Sequence, residues 1–140
     1  MITVHHLNNS RSQRILWLLE EIGQTYEIRK YERDPQTMRA PAALKEVHPL
    51  GKSPVISDGD HVIAESGAIT EYLVDTYGAA LKPQAGSDDH RRYVYWLHFA
   101  EGSAMPPLLV KLVVDQIAKA KMPFFAKPIA RSIVTRLNDG

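Results

Sequence analysis

The order of strand and helix patterns over the first 78 residues constrains the fold of this chain most. Residues 2–7 alternate in polarity, which predicts a short strand. Apolar residues then recur at helical spacing from Ile15 to Ile22, and Gly23 ends that helix. The chain therefore begins with a strand, a turn at Asn8-Asn9 and an amphipathic helix.

The same patterns continue as far as Gly78 and predict three more strands and two more helices. Asp58-Gly59-Asp60 is a hairpin signal between two of these strands. The predicted elements are a strand at Tyr26–Tyr31, a short helix around Ala42–Val47, strands at Pro54–Ser57 and His61–Ala64, and a helix that begins at Ser66. The predicted order is therefore β-α-β-α-β-β-α, which is an α/β domain.

The chain after residue 87 is predicted to be all helical. Residues 79–87 have the composition of a linker, and apolar faces follow at helical spacing in two runs. Pro106-Pro107 should kink or break the chain between these runs, because proline lacks an N–H donor. One more helix is predicted from about Ile129.

The charge distribution supports a boundary between these two parts. Residues 1–80 carry a net charge of −3, whereas residues 81–140 carry +4. We therefore expect two domains, an α/β domain at residues 1–80 and a helical domain at residues 87–140. The positive charge of the second part is typical of a solvated helix face.

The composition argues against several classes of function. A net charge of only +1 gives no case for nucleic-acid binding. The chain has no cysteine, which excludes disulfides and thiolate metal sites, and its six histidines lack metal-ligand spacing. No signal-peptide pattern is visible, and apolar runs such as Ile15–Leu19 are too short to span a bilayer. We therefore expect no metal, no nucleic acid, no membrane and a cytoplasmic location.

Ser10 is the first candidate for a functional residue. With Gln13 it forms a capping box, so its simplest role is to cap the first helix. Alternatively, its hydroxyl donates a hydrogen bond to a bound thiolate, which lowers the pKa of the thiol with help from the helix N-terminus. Ser12 is the nearest competitor for either role.

Lys52-Ser53-Pro54 and Glu65-Ser66 are the other two candidate segments. A cis bond before Pro54 would present the backbone of Ser53 to a peptide-like ligand, as a strand edge does. Lys52 would then meet a carboxylate. Ser66 and the N–H groups after it would hold another carboxylate, and Glu65 would pair with an ammonium group. An ordinary loop proline, a solvated lysine and a helix cap are the structural alternatives.

Three motifs at fixed spacing carry a resemblance to a known family. They are Ser10-Arg11-Ser12-Gln13-Arg14-Ile15-Leu16-Trp17-Leu18-Leu19-Glu20-Glu21, His48-Pro49-Leu50-Gly51-Lys52-Ser53-Pro54-Val55-Ile56 and Glu65-Ser66-Gly67-Ala68-Ile69. With the β-α-β-α-β-β-α background, they make the chain similar to cytosolic glutathione S-transferases of bacterial type. The resemblance implies a thioredoxin-like domain that binds glutathione, followed by a partial all-α domain that helps to bind an electrophile.

The resemblance also implies a role for each candidate residue. Ser10 would activate the thiol, and Ser53 would pair through its backbone with the cysteinyl part of glutathione, next to cis-Pro54. Lys52 would approach the glycyl carboxylate. Glu65 and Ser66 would hold the γ-glutamyl head. Ser53 departs from the family, which usually has an apolar residue before this proline.

The type of chemistry follows from the resemblance in the same way. Enzymes of this fold activate the thiol with tyrosine, serine or cysteine, and the chain has no cysteine and no tyrosine before Tyr26. A serine-type enzyme remains, in which the glutathione thiolate attacks a soft, hydrophobic electrophile in detoxification. A glutathione-dependent peroxidase and a non-catalytic binding or regulatory protein of the same fold are the alternatives.

Assembly and length are further expectations from the family. A homodimer is expected, formed through the third and fourth helices. Members of the family are usually longer, so we expect the helical domain of this chain to be truncated. Its uncovered apolar faces should make residues 88–140 less stable alone or dependent on a partner.

Overall fold

The computed structural model describes residues 1–119 and, beyond them, positions 128, 132 and 135. The chain forms two compact units, Met1–Tyr93 and Val94–Gly140. The domain limits expected from the sequence, 1–80 and 87–140, stay predictions. The helix expected from about Ile129 lies outside the described residues.

The first unit contains the predicted strands and helices in the predicted order. The strands are β1 (Ile2–Leu7), β2 (Tyr26–Tyr31), β3 (Val55–Asp58) and β4 (His61–Ala64), and the helices are α1 (Ser12–Ile22), α2 (Ala43–Val47) and α3 (Ser66–Tyr77). Gly23 ends α1 in the left-handed conformation with φ of 72°, as its lack of a Cβ favours. A single 3₁₀ turn, Ala79–Leu81, follows α3.

The four strands form one mixed sheet in the order β2-β1-β3-β4. β1 and β2 run parallel, with Ile2 opposite Tyr26 and Leu7 opposite Tyr31. β3 is antiparallel to both β1 and β4. This sheet and the order of its helices confirm the predicted thioredoxin-like α/β domain.

Alternation along β1 builds a core on each face of the sheet. Ile2 and Val4 are fully buried with apolar residues of α1, β3 and α3, namely Ile15, Leu19, Ile56, Ile69 and Leu73. On the other face, Leu7 packs with Tyr31 and with Leu44 of α2. His6 follows Ile2 and Val4 in the period-two pattern, so its side chain projects on the α1 face. Packing of α1 on β1 thereby sets what His6 contacts.

The helices of the later part are α4 (Asp88–Phe99) and α5 (Met105–Lys119), joined by a π-helical segment at Ala100–Ala104. Pro106 and Pro107 lie in the first turn of α5, where a missing N–H is tolerated. The α-helical pattern is therefore interrupted before the prolines, at the π-helical segment with its wider turns, and not at Pro106-Pro107 as predicted. Among the described residues, no helix is long and apolar enough to cross a membrane.

Candidate active site

A cleft of about 650 Å³ lies at one edge of the sheet in the first unit. The carboxyl ends of β1 and β2 meet at this edge because the two strands run parallel. β3 runs in the opposite direction and begins there, whereas β4 ends there and leads into α3. The loops at the ends of the four strands and the N-terminus of α3 therefore surround the same space.

All of the candidate residues from the three sequence segments line this cleft. Ser10 comes from the turn after β1, and Lys52, Ser53 and Pro54 come from the loop before β3. The last two, Glu65 and Ser66, come from the start of α3. The structure brings together residues that are more than fifty positions apart in sequence.

Ser10 does not cap α1 in the predicted way. The helix begins at Ser12, and Arg11 occupies the N-cap position without a side-chain capping bond. The Ser10 hydroxyl instead accepts a hydrogen bond from the backbone N–H of Ser12 at 3.2 Å. The capping box with Gln13 is therefore wrong, because the chain bends between Ser10 and Ser12 before the helix starts.

A chain of hydrogen-bonded hydroxyls surrounds Ser10. Its Oγ lies 2.7 Å from Ser12 Oγ and 3.3 Å from Ser53 Oγ. Ser12 Oγ in turn lies 2.8 Å from His6 Nδ1, and Ser53 Oγ donates to the carbonyl oxygen of His5 at 2.8 Å. Ser12 is 0% exposed, whereas Ser10 is half-buried and lines the cleft. Of the two serines that competed in the sequence, only Ser10 is open to a ligand.

The Ser53–Pro54 peptide bond is cis. The hydroxyl of Ser53 donates a hydrogen bond to the carbonyl oxygen of His5 in β1, so this bond connects the loop before β3 to β1. Sequence reasoning alone left Pro54 open between a cis bond and an ordinary loop proline.

Glu65 and Ser66 form the start of α3. Glu65 occupies the N-cap position with φ of 75°, a backbone conformation that residues other than glycine rarely adopt. Ser66 is the first residue of the helix rather than its cap, so the simple capping interpretation of Ser66 is wrong. The positive φ of Glu65 is a backbone strain that is typical of functional sites, where the surrounding structure fixes an unfavourable conformation.

Sequence reasoning missed most of the positive charge of the cleft. Five basic residues and one carboxylate line it, in chain order Arg11, Arg33, Arg39, Lys45, Lys52 and Glu65. Two of the missed residues, Arg33 and Arg39, lie in the loop after β2. The signal that predicts them is the parallel β-α-β unit, which places the loops after β1 and β2 side by side.

Arg33 holds these two loops together. Its guanidinium donates to the carbonyl oxygens of Asn8 at 3.1 Å, Asn9 at 3.2 Å and Met38 at 3.0 Å. The next residue, Asp34, accepts bonds from the backbone of Gln36 and from Thr37. The bonds from Thr37, then that from Gln36, hold the pKa of the Asp34 carboxyl below its ordinary value. This wall of the cleft is therefore built from specific bonds.

His5 of β1 does not line the cleft and forms a separate hydrogen-bonded cluster. Its Nδ1 lies 3.0 Å from the Tyr31 hydroxyl and its Nε2 lies 2.9 Å from Ser57 Oγ. Burial, and secondarily the positive charge of Arg29, lower the pKa of His5. His5 is therefore a neutral structural residue at neutral pH. Within the described part of the chain, no group of three His, Asp or Glu side chains is placed to hold a metal ion.

The mixed sheet, the helices on both of its faces and the cis-proline loop define a thioredoxin-like domain. The family described as "Glutathione S-transferase, N-terminal domain" matches residues 1–75. The chain belongs to the glutathione S-transferase family.

Two yeast relatives match almost the whole chain. Glutathione S-transferase 3 of Schizosaccharomyces pombe is 42% identical over 99% of this chain and 57% of its own length. Glutathione S-transferase 1 of Saccharomyces cerevisiae is 34% identical over 99% of this chain and 62% of its own length. The chain thus spans about three fifths of the length of these curated relatives.

Solved structures show the same fold. A glutathione S-transferase from Actinobacillus pleuropneumoniae is 38% identical, with a TM-score of 0.72 over 98% of this chain and 62% of that one. A theta class enzyme from Xanthomonas axonopodis pv. citri, solved with glutathione bound, is 25% identical, with a TM-score of 0.67 over 86% of this chain and 56% of that one. Relatives come from both yeasts and bacteria, so the bacterial assignment stays a prediction.

Proposed function

We propose that this chain binds glutathione in the cleft and activates its thiol for attack on a hydrophobic electrophile. The observation that carries the proposal is the meeting of Ser10, cis-Pro54 and the start of α3 around one cleft. The glutathione bound to the Xanthomonas axonopodis relative supports the choice of ligand.

The charge of the cleft supports an anionic ligand with one ammonium group. Glutathione carries two carboxylates and one ammonium, and its thiolate adds a further negative charge. In our proposal, Ser66 and the free N–H groups at the start of α3 hold the γ-glutamyl carboxylate. Glu65 pairs with the ammonium, and Lys52 meets the glycyl carboxylate. The excess of basic residues over the single carboxylate favours this assignment.

The middle of the ligand would pair with the loop before β3. The backbone of Ser53, next to Pro54, is proposed to bind the cysteinyl unit as a strand edge binds an added strand. This interaction uses no side-chain atom of Ser53, whose hydroxyl donates to His5. The serine before the proline is therefore compatible with the same mode of binding.

The proposed chemistry is of the serine type. Ser10 would donate a hydrogen bond to the sulfur, which favours the thiolate over the thiol and lowers the pKa of the bound thiol. The thiolate then forms a sulfur–carbon bond with the electrophile, and the displaced electron pair leaves with the departing group. The full burial of Ser12 supports Ser10 as the residue that touches sulfur.

The remaining parts of the proposal rest on the family. We propose a homodimer, a cytoplasmic location and a role in detoxification, with glutathione as co-substrate and no metal. A glutathione-dependent peroxidase would use the same glutathione site. A non-catalytic binding or regulatory protein would bind no glutathione or leave its thiol unactivated.

Calorimetric titration of the full chain with glutathione tests the binding site. We expect a dissociation constant in the micromolar-to-millimolar range. Ser66→Ala should weaken binding about tenfold, because it removes a hydrogen bond to a charged group. Ser103→Ala, at an exposed serine of the second unit, is the matched control and should bind like the wild type. A folded wild type that binds no glutathione would contradict the proposed function.

The ultraviolet absorbance of the bound thiolate tests the role of Ser10. Ser10→Ala should raise the pKa of the bound thiol by about one to two pH units, because one hydrogen bond to the charged form is lost. Its affinity for glutathione at low pH should change little, since the neutral thiol needs no such donor. An unchanged thiol pKa would exclude Ser10 as the activating residue.

A further inference from the structure

His6 is a polar residue of the α1 face of the sheet that the proposed function does not use. It is half-buried, and its Nδ1 lies 2.8 Å from Oγ of the fully buried Ser12. Ser12 is the link between this imidazole and Ser10, which it meets at 2.7 Å. The imidazole is thus connected to the cleft through a single buried hydroxyl.

We assign the direction of each hydrogen bond in this chain by starting from the carbonyl oxygen of His5 and taking the Ser10–Ser53 contact as a hydrogen bond. A carbonyl oxygen only accepts, so Ser53 spends its one hydroxyl hydrogen on the carbonyl of His5. Ser53 Oγ therefore accepts from Ser10 across their 3.3 Å contact. Ser10, having used its hydrogen, accepts from Ser12 at 2.7 Å. The hydroxyls of all three serines then donate in the same direction, which leads from Ser12 through Ser10 and Ser53 to the carbonyl oxygen of His5.

The same rule fixes the proton on His6. With Ser12 donating its one hydroxyl hydrogen to Ser10, its oxygen accepts from the imidazole, which assigns a hydrogen to Nδ1 of His6. Ser12 also donates its backbone N–H to Ser10 Oγ at 3.2 Å. Both lone pairs of the Ser10 oxygen are therefore engaged by Ser12, so its hydroxyl can act only as a donor, here to Ser53 Oγ.

We propose that His6, protonated on Nδ1 and acting through buried Ser12, is a positioning residue that holds the hydroxyl hydrogen of Ser10 toward the sulfur of a bound thiolate. The proposal rests on the proposed function for its ligand, because the sulfur takes the place of Ser53 Oγ as the acceptor. The 3.3 Å contact to Ser53 is the longest in the chain and the easiest to exchange.

The energetic effect of His6 has two physical sources. A hydrogen bond in a chain of hydrogen bonds polarises the next, so donation from His6 strengthens donation by Ser10. In addition, Ser12 lacks solvent contact, so without His6 its oxygen would lose a partner that water cannot replace. Ser12 would then turn its own hydrogen freely, and the orientation of the Ser10 hydroxyl would no longer be fixed.

The tautomer of His6 in the chain without ligand is the first test. The ¹⁵N shifts and ring couplings of the imidazole, recorded near pH 8 and assigned with His6→Asn, report which nitrogen carries the hydrogen. We expect Nδ1–H. A neutral ring with hydrogen on Nε2 would run the hydroxyl chain in the opposite direction and would overturn the proposal. This measurement needs no ligand, so it is independent of whether glutathione binds.

The pKa of the bound glutathione thiol is the second test. His6→Leu should raise it by about half to one pH unit, since only part of a hydrogen bond is transmitted through Ser12. His6→Asn should restore the wild-type value, because its side-chain amide places a donor near the position of Nδ1. His61→Leu, at an exposed histidine of β4 outside the cleft, is the matched control.

The outcomes separate this proposal from the proposed function. Equal thiol pKa values in wild type, His6→Leu and His6→Asn would overturn the role of His6 while leaving glutathione binding intact. A wild type that binds no glutathione would overturn the proposed function, and with it the part of this proposal that concerns sulfur. If His6→Leu does not fold, the tautomer and the His6→Asn value still decide, because Nε2–H or a raised pKa in His6→Asn each contradicts the proposal.

Discussion

Gly51, in the wall of the cleft, shows how one residue without a side chain is required by both backbone and packing. Its φ is 58°, and a Cβ at this position would lie 2.6 Å from Cγ of Lys45. We expect Gly51→Ala to destabilise the protein by about 1–3 kcal/mol, measured by urea unfolding, because left-handed backbone strain and displacement of Lys45 add together. Glutathione binding should also weaken, since Lys45 and Lys52 both line the cleft.

Two other glycines distinguish the effect of backbone strain from that of the contact with Lys45. Gly59 has a similar φ of 56° but nothing within 4 Å of an added Cβ, so Gly59→Ala measures backbone strain alone. Gly67, in the first turn of α3, has neither constraint, so alanine there should be neutral or stabilising by up to about 1 kcal/mol. A cost at Gly51 no larger than that at Gly59 would show that the Lys45 contact relaxes freely.

At the scale of elements, Asp58 joins β3 to the end of α3. Its carboxylate accepts bonds from the hydroxyls of Tyr77 at 2.5 Å and Tyr72 at 2.9 Å, and the N-terminal ammonium lies 3.9 Å away. The Tyr77 bond above all, followed by Tyr72, holds the pKa of Asp58 below its usual value despite burial. The same bond raises the pKa of Tyr77 to about 12. The pair thus favours an ionised carboxyl and a neutral phenol.

These pKa shifts predict how stability depends on pH. A depressed carboxyl pKa contributes stability above the unfolded value of 3.8, and the contribution is lost as the pH falls through the lower folded value. Tyr77→Phe should therefore lower Tm by about a few degrees at neutral pH, with the difference from wild type shrinking as the pH falls below 3.8. Tyr95→Phe, at an exposed tyrosine of α4, should leave Tm unchanged both at neutral pH and at low pH. A Tyr77→Phe difference that is constant down to pH 2 would exclude Asp58 as its cause.

The same elements show what sequence can and cannot predict. The strands and helices of residues 1–78 were predictable because each is encoded by a local period and ended by a local residue such as Gly23. α3 begins at Ser66 as predicted, but the capping roles of Ser10 and Ser66 were wrong. Ser10 contacts Ser53, which tertiary folding brings near, and Glu65 occupies the N-cap position of α3. Similarly, Tyr77 lies 19 positions from Asp58, so no local pattern joins them.

At the scale of the whole molecule, the cleft could be predicted only as a set of residues. Sequence motifs identified Ser10, Lys52 and Ser66, but no motif indicated the hydrogen-bonded path from His6 through Ser12 to Ser10. That path exists because α1 packs on β1, which buries Ser12 against the imidazole. Long-range packing of this kind decides which hydroxyl faces the ligand, and periodicity carries no information about it.

The two tryptophans provide a test of the proposed homodimer. Trp17 of α1 is 68% exposed in the first unit, and Trp96 of α4 is 57% exposed in the second. A specific interface buries about 800 Å² of each partner and favours aromatic residues. If the fourth helix takes part in the dimer, acrylamide should quench Trp96 less than Trp17 at concentrations where light scattering gives twice the chain mass. Single-tryptophan variants, Trp17→Phe and Trp96→Phe, assign the two signals.

On dilution to the monomer, quenching of Trp96 should rise while that of Trp17 stays constant. A monomer at every concentration, or parallel changes at both tryptophans, would contradict a dimer formed through α4.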